Sequence, residues 1–283
     1  MKIGCVIITY NIEEAVIETF NSIYNQVDKV VFVDNNSNKA TKSTLCKLND
    51  EYNNCEVILN EKNEGIARAL NIGIKKLLSY DMDFILTLDH DSITAKNMIS
   101  EMISIYQKLK DKEKVGILSP AIYDLNKKDY LTEVNSEEYQ IIKEPIQSGS
   151  LINTNIFKDD ILYNEKLFIY YVDTDLCYRS NLKGYKNIQC NNVIMYHEEG
   201  KKSCHLIFGK KLYYNNYSEF AIYYRARNGI YMKKNYKSYF SSGYVIYKDI
   251  IKILFFDKKP YKKLVAHLRG IFDGIKLTKR KEL

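Results

Sequence analysis

The chain opens with an unbroken apolar run, Ile3 to Ile8, that closes on Thr9-Tyr10-Asn11. Apolar positions then recur at helical spacing through Ile12, Val16, Ile17, Phe20 and Ile23, so the first tenth of the protein reads as strand, polar loop, helix. The same unit repeats. A second apolar run, Lys29 to Val33, ends in Asp34-Asn35-Asn36-Ser37 and leads into a helical stretch reaching about Asn49. Cys55 to Leu59 reads as a third strand, and Gly65 to Leu78 as the helix that follows it. Phe84 to Leu88 is a fourth strand, ended by Asp89-His90-Asp91-Ser92 and followed by a helix from about Lys96 to Leu109. Strands alternating with helices predict an α/β fold with parallel β-α-β units. Runs buried on both faces lack the polar alternation of a half-exposed sheet.

That pattern places the chemistry. In an open parallel sheet, ligands bind beyond the carboxyl ends of the strands, and the clusters at Thr9-Tyr10-Asn11, Asp34-Ser37 and Asp89-Ser92 all lie there. Neither G-x-G-x-x-G after the first strand nor G-x-x-x-x-G-K-[ST] anywhere is present, which excludes the usual dinucleotide fingerprint and the P-loop.

Asp89 and Asp91 are two carboxylates one residue apart in a loop. They either turn toward one hard cation, Mg2+ or Mn2+, or cap the next helix. Downstream, Phe168 to Arg179 is an aromatic run broken by Asp173 and Asp175. Two acids in a first helical turn suit the macrodipole, and Asp175 is four residues from Arg179, the spacing of a helical ion pair. Asp173 is left for a general base, with burial among aromatics raising its pKa. His197 ends another apolar stretch, Val193 to Tyr196, and is either a structural histidine or a metal ligand.

Composition alters the picture mainly at the C-terminus. The 283 residues carry 46% hydrophobic and 27% charged side chains, ordinary for a globular chain, which excludes disorder, collagen and coiled coil. The net charge of +7 hides an asymmetry: residues 201–283 hold 20 Lys or Arg against 5 acids, +15, whereas residues 1–200 carry −8. A basic tail on an acidic body points to an anionic partner. In that tail Lys248, Lys252, Lys258, Lys259, Lys262, Lys263 and Arg269 interleave with Tyr244, Tyr247, Ile250, Ile251, Leu254, Phe255 and Phe256, a basic amphipathic pattern suited to an anionic membrane surface. A dimer contact, using aromatics such as Tyr231, Tyr236, Tyr239 and Phe240, is the competing use. The apolar stretch Gly243 to Phe256 is interrupted by Lys248, Asp249 and Lys252 and is too short to span a bilayer. No secretory signal is readable at the N-terminus, and the six cysteines have no C-x-x-C spacing, so reduced thiols and a cytoplasmic location are expected.

Taken in order, these motifs resemble the family 2 glycosyltransferases, which have the GT-A fold, and within them the bacterial rhamnosyltransferases. The resemblance rests on Thr9-Tyr10-Asn11, Val33 to Ser37, Asn60 to Ala67 with Arg68 to Asn71, Leu88 to Ser92, Gly149-Ser150 and Val172 to Leu176. It implies an inverting, metal-dependent transferase with an Mn2+ or Mg2+ cofactor and a nucleoside-diphosphate sugar donor, dTDP-rhamnose favoured over UDP-sugars. Thr9, Tyr10, Asn11, Asp34, Asn63, Gly65, Arg68 and Asp89 would contact the nucleotide sugar. Asp91, His197 and Asp89 would hold the metal, Asp173 would be the catalytic base, and Gly149 and Ser150 would line the sugar and acceptor pocket. Residues 1–200 would form the catalytic domain and residues 201–283 the basic, mostly helical appendage. The acceptor would be a lipid-linked or other glycan, met at the inner face of the cytoplasmic membrane during synthesis of a bacterial surface polysaccharide. Two positions depart from the family pattern: His90 stands where rhamnosyltransferases commonly have Gln, and Val172 where the wider family often has Glu. Two rival readings are a sugar-nucleotide synthase, which would carry a Gly-rich first loop, and a nucleic-acid-binding protein. The second leaves the ordered acidic loops unexplained, so no nucleic-acid partner is expected.

Overall fold

The computed structural model describes residues 1–197, 203–207, 210–214, 216–236, 243–257 and 260–277. Tyr239, Phe240, Lys258 and Lys259 lie outside the described residues, as do the side chains of Tyr244 and Tyr247. The chain divides into two compact units. The first comprises residues 1–168 and 172–199, the second residues 169–171 and 200–283.

In the first unit the expected alternation is present: β1 (Ile3–Thr9), α1 (Val16–Ile23), β2 (Lys29–Asp34), α2 (Lys39–Glu51), β3 (Cys55–Leu59), α3 (Ile66–Leu78) and β4 (Phe84–Asp89). After them come β5 (Ile93–Thr94), α4 (Met98–Lys108), β6 (Val115–Asp124), β7 (Asp129–Tyr130), β8 (Tyr139–Ile142), β9 (Ser150–Asn153), α5 (Asn155–Lys158), α6 (Val172–Leu182) and β10 (Lys186–His197). All seven residues of β1 are buried, which is why the run Ile3 to Ile8 is unbroken before Thr9. The main sheet has the strand order β3-β2-β1-β4-β9-β6-β10. Strands β3, β2, β1 and β4 run parallel to one another, and β10 is parallel to β6. Strand β9 lies between β4 and β6, antiparallel to both. The sheet is therefore mixed, and the parallel half carries the first three polar clusters.

Its core is Phe20, Phe32, Leu45, Leu86 and their neighbours, packed between sheet and helices. One short pairing shapes the candidate site. Strand β5, directly after Asp91 and Ser92, pairs antiparallel with the end of β10, Ile93 opposite Tyr196. Strand β10 reaches that point after a register shift between Cys190 and Ile194. A two-residue strand thus carries the Asp91 loop to His197.

The second unit contains a two-stranded sheet of β11 (Ser203–Ile207) and β12 (Lys210–Tyr214), then α7 (Glu219–Asn235), α8 (Gly243–Phe256) and α9 (Pro260–Lys276). Asn228 of α7 donates from Nδ2 to the carbonyls of Ile169 and Tyr170, at 2.7 and 3.0 Å. Among the described residues no helix is long and apolar enough to cross a membrane. Lys263, expected among the exposed tail cations, is instead buried and bonded to Asp257 and Asn216, because it sits on the α9 face turned inward.

Candidate active site

The carboxyl ends of β1, β2 and β4 lie side by side. Thr9 is in register with Asp34, and Ile8 with Asp89. Asp34 is fully buried; its carboxylate accepts from Thr9 Oγ1 at 3.0 Å, from Ser37 N at 2.8 Å, and from the Ser37 hydroxyl. Three donors hold this acid against the end of β1 and close the Asp34–Ser37 turn. Tyr10 and Asn11 are exposed beside it, Asn11 at φ 53° with its N–H on Ser37 Oγ.

Asp89 ends β4, partly covered, and its pKa is pushed up to about 7, first by burial and then by the neighbouring charge of Asp91. His197 opposes that rise, which places imidazole and both carboxylates within one electrostatic neighbourhood. Asp91 Oδ1 is 4.0 Å from His197 Nδ1, an atom that is itself buried with no hydrogen-bond partner among the described residues. An unsatisfied imidazole nitrogen facing a carboxylate across that gap fits a divalent cation with mixed N and O ligands. Among the described residues no three His, Cys, Asp or Glu groups are already gathered at ligating distance, so remaining coordination positions would fall to water or to a phosphate-bearing substrate. His90, between the two acids, is turned back: its Nδ1 lies 3.3 Å from the Ile8 carbonyl, and its own carbonyl accepts from Thr19.

Asp173 begins α6. Its carboxyl is pushed up by burial, opposed by the backbone N–H groups of Thr174 and Gln147. Its charge also contributes to raising Asp89, so metal candidate and base candidate sense one another. Asp175, two residues on, accepts from Arg179 Nε at 2.8 Å with both side chains buried, and Arg179 also donates to the Leu162 carbonyl. The i, i+4 pair expected from sequence is present, and it accounts for Asp175 without any chemistry.

The segment 147–150 ties these pieces together. Thr87 Oγ1 donates to the Gln147 carbonyl at 2.6 Å, the Gly149 N–H returns to the Thr87 carbonyl, and Ser148 Oγ accepts from the Asp89 N–H while sharing a hydrogen bond with Ser92 Oγ. Gly149 sits at φ 87°, where a Cβ would be strained and would also meet Met195 Sδ at 2.9 Å. Ser150 is buried and bonds back to the Ile146 carbonyl. Tyr163 is fully buried, and burial drives its hydroxyl far up; Thr87 opposes that rise, while the charges of Asp173 and Asp89 add to it. Sequence reasoning missed Thr87, Gln147, Ser148 and Tyr163. The small-residue run Ser148-Gly149-Ser150 was the available signal; Tyr163 had none.

Three further nominated residues lie at the start of α3, Asn63 and Gly65 on the loop into it and Arg68 in its first turn. Asn63 Oδ1 accepts from the Gly65 N–H, and Arg68, half exposed, is 3.5 Å from Glu64. At Gly65, φ 83°, an added Cβ would come within 2.5 Å of Phe168. The Phe168 carbonyl accepts from Ile66 N at 2.7 Å, and Phe168 itself, at φ 64°, is a bulky residue held in the left-handed region. Strain of this kind concentrates at functional sites, and this one lies five residues before Asp173. A cavity of about 470 Å3 lies elsewhere, between β6 and β8, lined by Ser119, Glu133, Gln140, Lys143 and Gln189, and includes none of the nominated residues.

A mixed sheet carrying acids at the carboxyl ends of its parallel strands, with a carboxylate-histidine pair completed by an antiparallel strand, defines an α/β enzyme of the GT-A glycosyltransferase class. The sequence is matched over residues 5–159 by the Glycosyl transferase family 2 profile, and the chain belongs to that family and is a glycosyltransferase. It is 27% identical to the dTDP-rhamnosyl transferase RfbF of Shigella flexneri over 97% of this chain and 96% of that protein. Solved structures show the same fold at lower identity. TarS 1–349 of S. aureus in complex with UDP-GlcNAc is 16% identical with a TM-score of 0.61, over 98% of this chain and 81% of that one. GalNAc-T7 with UDP, GalNAc and Mn2+ is 15% identical at TM-score 0.61; this chain spans about half of it, 54%, with 97% of its own length aligned. The mannosyltransferase PcManGT from Pyrobaculum calidifontis, in complex with GDP-Man and Mn2+, is 11% identical at TM-score 0.57, over 96% of this chain and 87% of that one.

Proposed function

We propose that this glycosyltransferase moves L-rhamnose from dTDP-rhamnose to a hydroxyl of a lipid-linked or other glycan acceptor, with inversion at the anomeric carbon. The observation that carries the site assignment is His197 Nδ1, without a partner among the described residues, facing Asp91 4.0 Å away, with Asp89 and the buried Asp173 in the same electrostatic neighbourhood. The donor assignment is supported by the likeness to RfbF over nearly the whole chain. UDP-sugars are the alternative donors within the family.

In this reading Thr9, Tyr10, Asn11 and Asp34 receive the nucleoside, with Asn63, Gly65 and Arg68 beside it and Asp89 toward the ribose or the metal's water. Asp91 and His197 hold the cation, with Asp89 beside them. A divalent cation, when bound, offsets the negative charge that grows on the departing diphosphate. Asp173 takes the proton of the acceptor hydroxyl as that oxygen bonds to the anomeric carbon, and the bond to the diphosphate breaks with its electron pair leaving on the phosphate oxygen. A carboxyl with a raised pKa is a stronger base than an exposed aspartate, and a positioned general base contributes ~100- to 10,000-fold in rate. Gly149 and Ser150 line the sugar side. Residues 1–200 form the catalytic domain, and residues 201–283 meet the acceptor's surroundings at the inner face of the cytoplasmic membrane, in the assembly of a surface polysaccharide.

The test is thermal unfolding with Mn2+ and each of dTDP, UDP, GDP and CDP, on the wild type and on Asp91→Ala. A ligand at about 100 times its Kd adds ~2.7 kcal/mol, a shift of a few degrees. Stabilisation by dTDP that vanishes in Asp91→Ala supports the reading; a preference for UDP changes the sugar, and no response to any nucleotide removes the metal-site assignment.

A further inference from the structure

Helix α9 is built the wrong way round for a helix that only packs on its own protein. Its inward face is Lys263, His267, Gly270 and Gly274. The two glycines sit so close to α7 that an added Cβ would be 2.4 Å from the Tyr223 carbonyl at Gly270 and 2.4 Å from the Arg227 carbonyl at Gly274. That contact fixes the rotation of the helix. Its large apolar residues, Tyr261, Val265, Leu268, Phe272 and Ile275, consequently point away, with Tyr261 78%, Leu268 60% and Phe272 58% exposed. Their spacing of four and three residues makes one continuous stripe along the helix. Lys262, Arg269 and Lys276 follow it at seven-residue intervals, all exposed, forming a row of cations along one border of the stripe.

We infer that this stripe is the surface by which the protein lies on a bilayer containing anionic lipids, with Tyr261, Leu268 and Phe272 entering the acyl boundary and Lys262, Arg269 and Lys276 meeting the headgroup phosphates. An amphipathic helix with large apolar residues on one face and cations at its border is the form that lies in a membrane interface. A second copy of the chain is the other occupant such a stripe would suit, and the charges oppose it. The helix's one acid, Asp273, is half buried and accepts from the Tyr223 hydroxyl at 2.9 Å, so a partner α9 brings no acidic row to face the cations. On α8, Leu254 and Phe255 are exposed as well and enlarge the apolar area of the same unit. This inference deepens the proposed meeting with a lipid-linked acceptor by naming the face that meets the membrane, but its test reads no glycosyl transfer.

The experiment is co-sedimentation of the full chain at low salt with phosphatidylcholine vesicles, with and without phosphatidylglycerol. It compares wild type with the paired variant Leu268→Glu/Phe272→Glu and with Arg269→Gln. Both changes fall on exposed positions, and nucleotide-dependent thermal stabilisation serves as the check that the catalytic unit is intact. Wild type should bind only the anionic vesicles and release them as salt rises. The paired glutamates should abolish binding, and Arg269→Gln should weaken it about fivefold, the effect of one interfacial cation. Absence of binding to anionic vesicles, binding that survives the paired glutamates, or a concentration-dependent dimer that those glutamates dissociate would overturn the inference.

Discussion

Ser148 Oγ accepts the backbone N–H of Asp89 at 2.9 Å and shares a hydrogen bond with Ser92 Oγ at 2.7 Å. One hydroxyl, brought in by the turn before β9, thus holds both ends of the Asp89–Ser92 loop. Its carboxylates point where they do because the backbone beneath them is pinned from outside the loop. Ser148→Ala should leave the fold intact and loosen that loop. Supporting contacts of this kind are worth ~10- to 100-fold in metal affinity. The expected result is a rise of that order in the Mn2+ concentration needed for half-maximal activity, with a smaller change in kcat at saturating metal. An unchanged metal dependence would remove the positioning role.

In the proposed mechanism Asp173 couples function to a cost in stability. Its pKa in the fold lies above that of an exposed aspartate because burial disfavours the ionised form. The unfolded chain releases this proton at lower pH, so the ionised carboxyl lowers stability as pH rises through the unfolded and then the folded value, and stability stays lower above both. Asp173→Asn should therefore raise the unfolding midpoint at neutral pH by up to a few degrees while cutting transfer ~100- to 10,000-fold. A variant keeping the full rate would end the base assignment. In the wild type the acid limb of kcat/KM should fall above the ordinary aspartate value of ~3.9.

Asp175 should behave in the opposite manner. It is buried against Arg179, and deleting the carboxylate strands a buried guanidinium, a loss of ~3–5 kcal/mol for such pairs. Denaturant unfolding of Asp175→Ala should show that loss, whereas the nucleotide affinity of the remaining folded protein should be unchanged. The comparison with Asp173→Asn separates two acids that the sequence places two residues apart.

His267, buried on the inward face of α9, has neither ring nitrogen bonded to a partner among the described residues. Burial holds its pKa below 6.5; Arg225 of α7 pushes the same way and Asp249 of α8 opposes. The unfolded chain takes up a proton near the ordinary value while the folded chain resists, so this group's contribution is complete above pH ~6.5 and is lost as pH falls toward the folded value. Stability measured against pH for wild type and His267→Leu should diverge below that point, the leucine chain losing less. Parallel curves would show that the ring is satisfied in some other way.

The elements of the catalytic unit were legible because their cause is local and periodic. Strands β1, β2 and β4 are buried on both faces and so are continuously apolar, and the polar clusters that end them fall at the carboxyl edge of a parallel sheet as a matter of chain direction. The pairing of Asp175 with Arg179 was legible for the same reason, since helix geometry alone brings i and i+4 together.

Other features needed the folded chain. His197 and Asp91 are more than a hundred residues apart, and only the pairing of the two-residue β5 with the end of β10 sets them side by side. Ser148 and Tyr163 are drawn to Thr87, Asp89 and Asp173 by the antiparallel insertion of β9 between β4 and β6, for which no periodicity speaks. The basic, aromatic character of the tail was visible in its composition, but not which face of α9 would be outermost. That was decided by Gly270 and Gly274: two residues without side chains let α7 approach, and the large apolar residues were turned outward. Sequence periodicity determines which residues share a face. Where that face points depends on close packing against distant parts of the chain, which only the tertiary structure supplies.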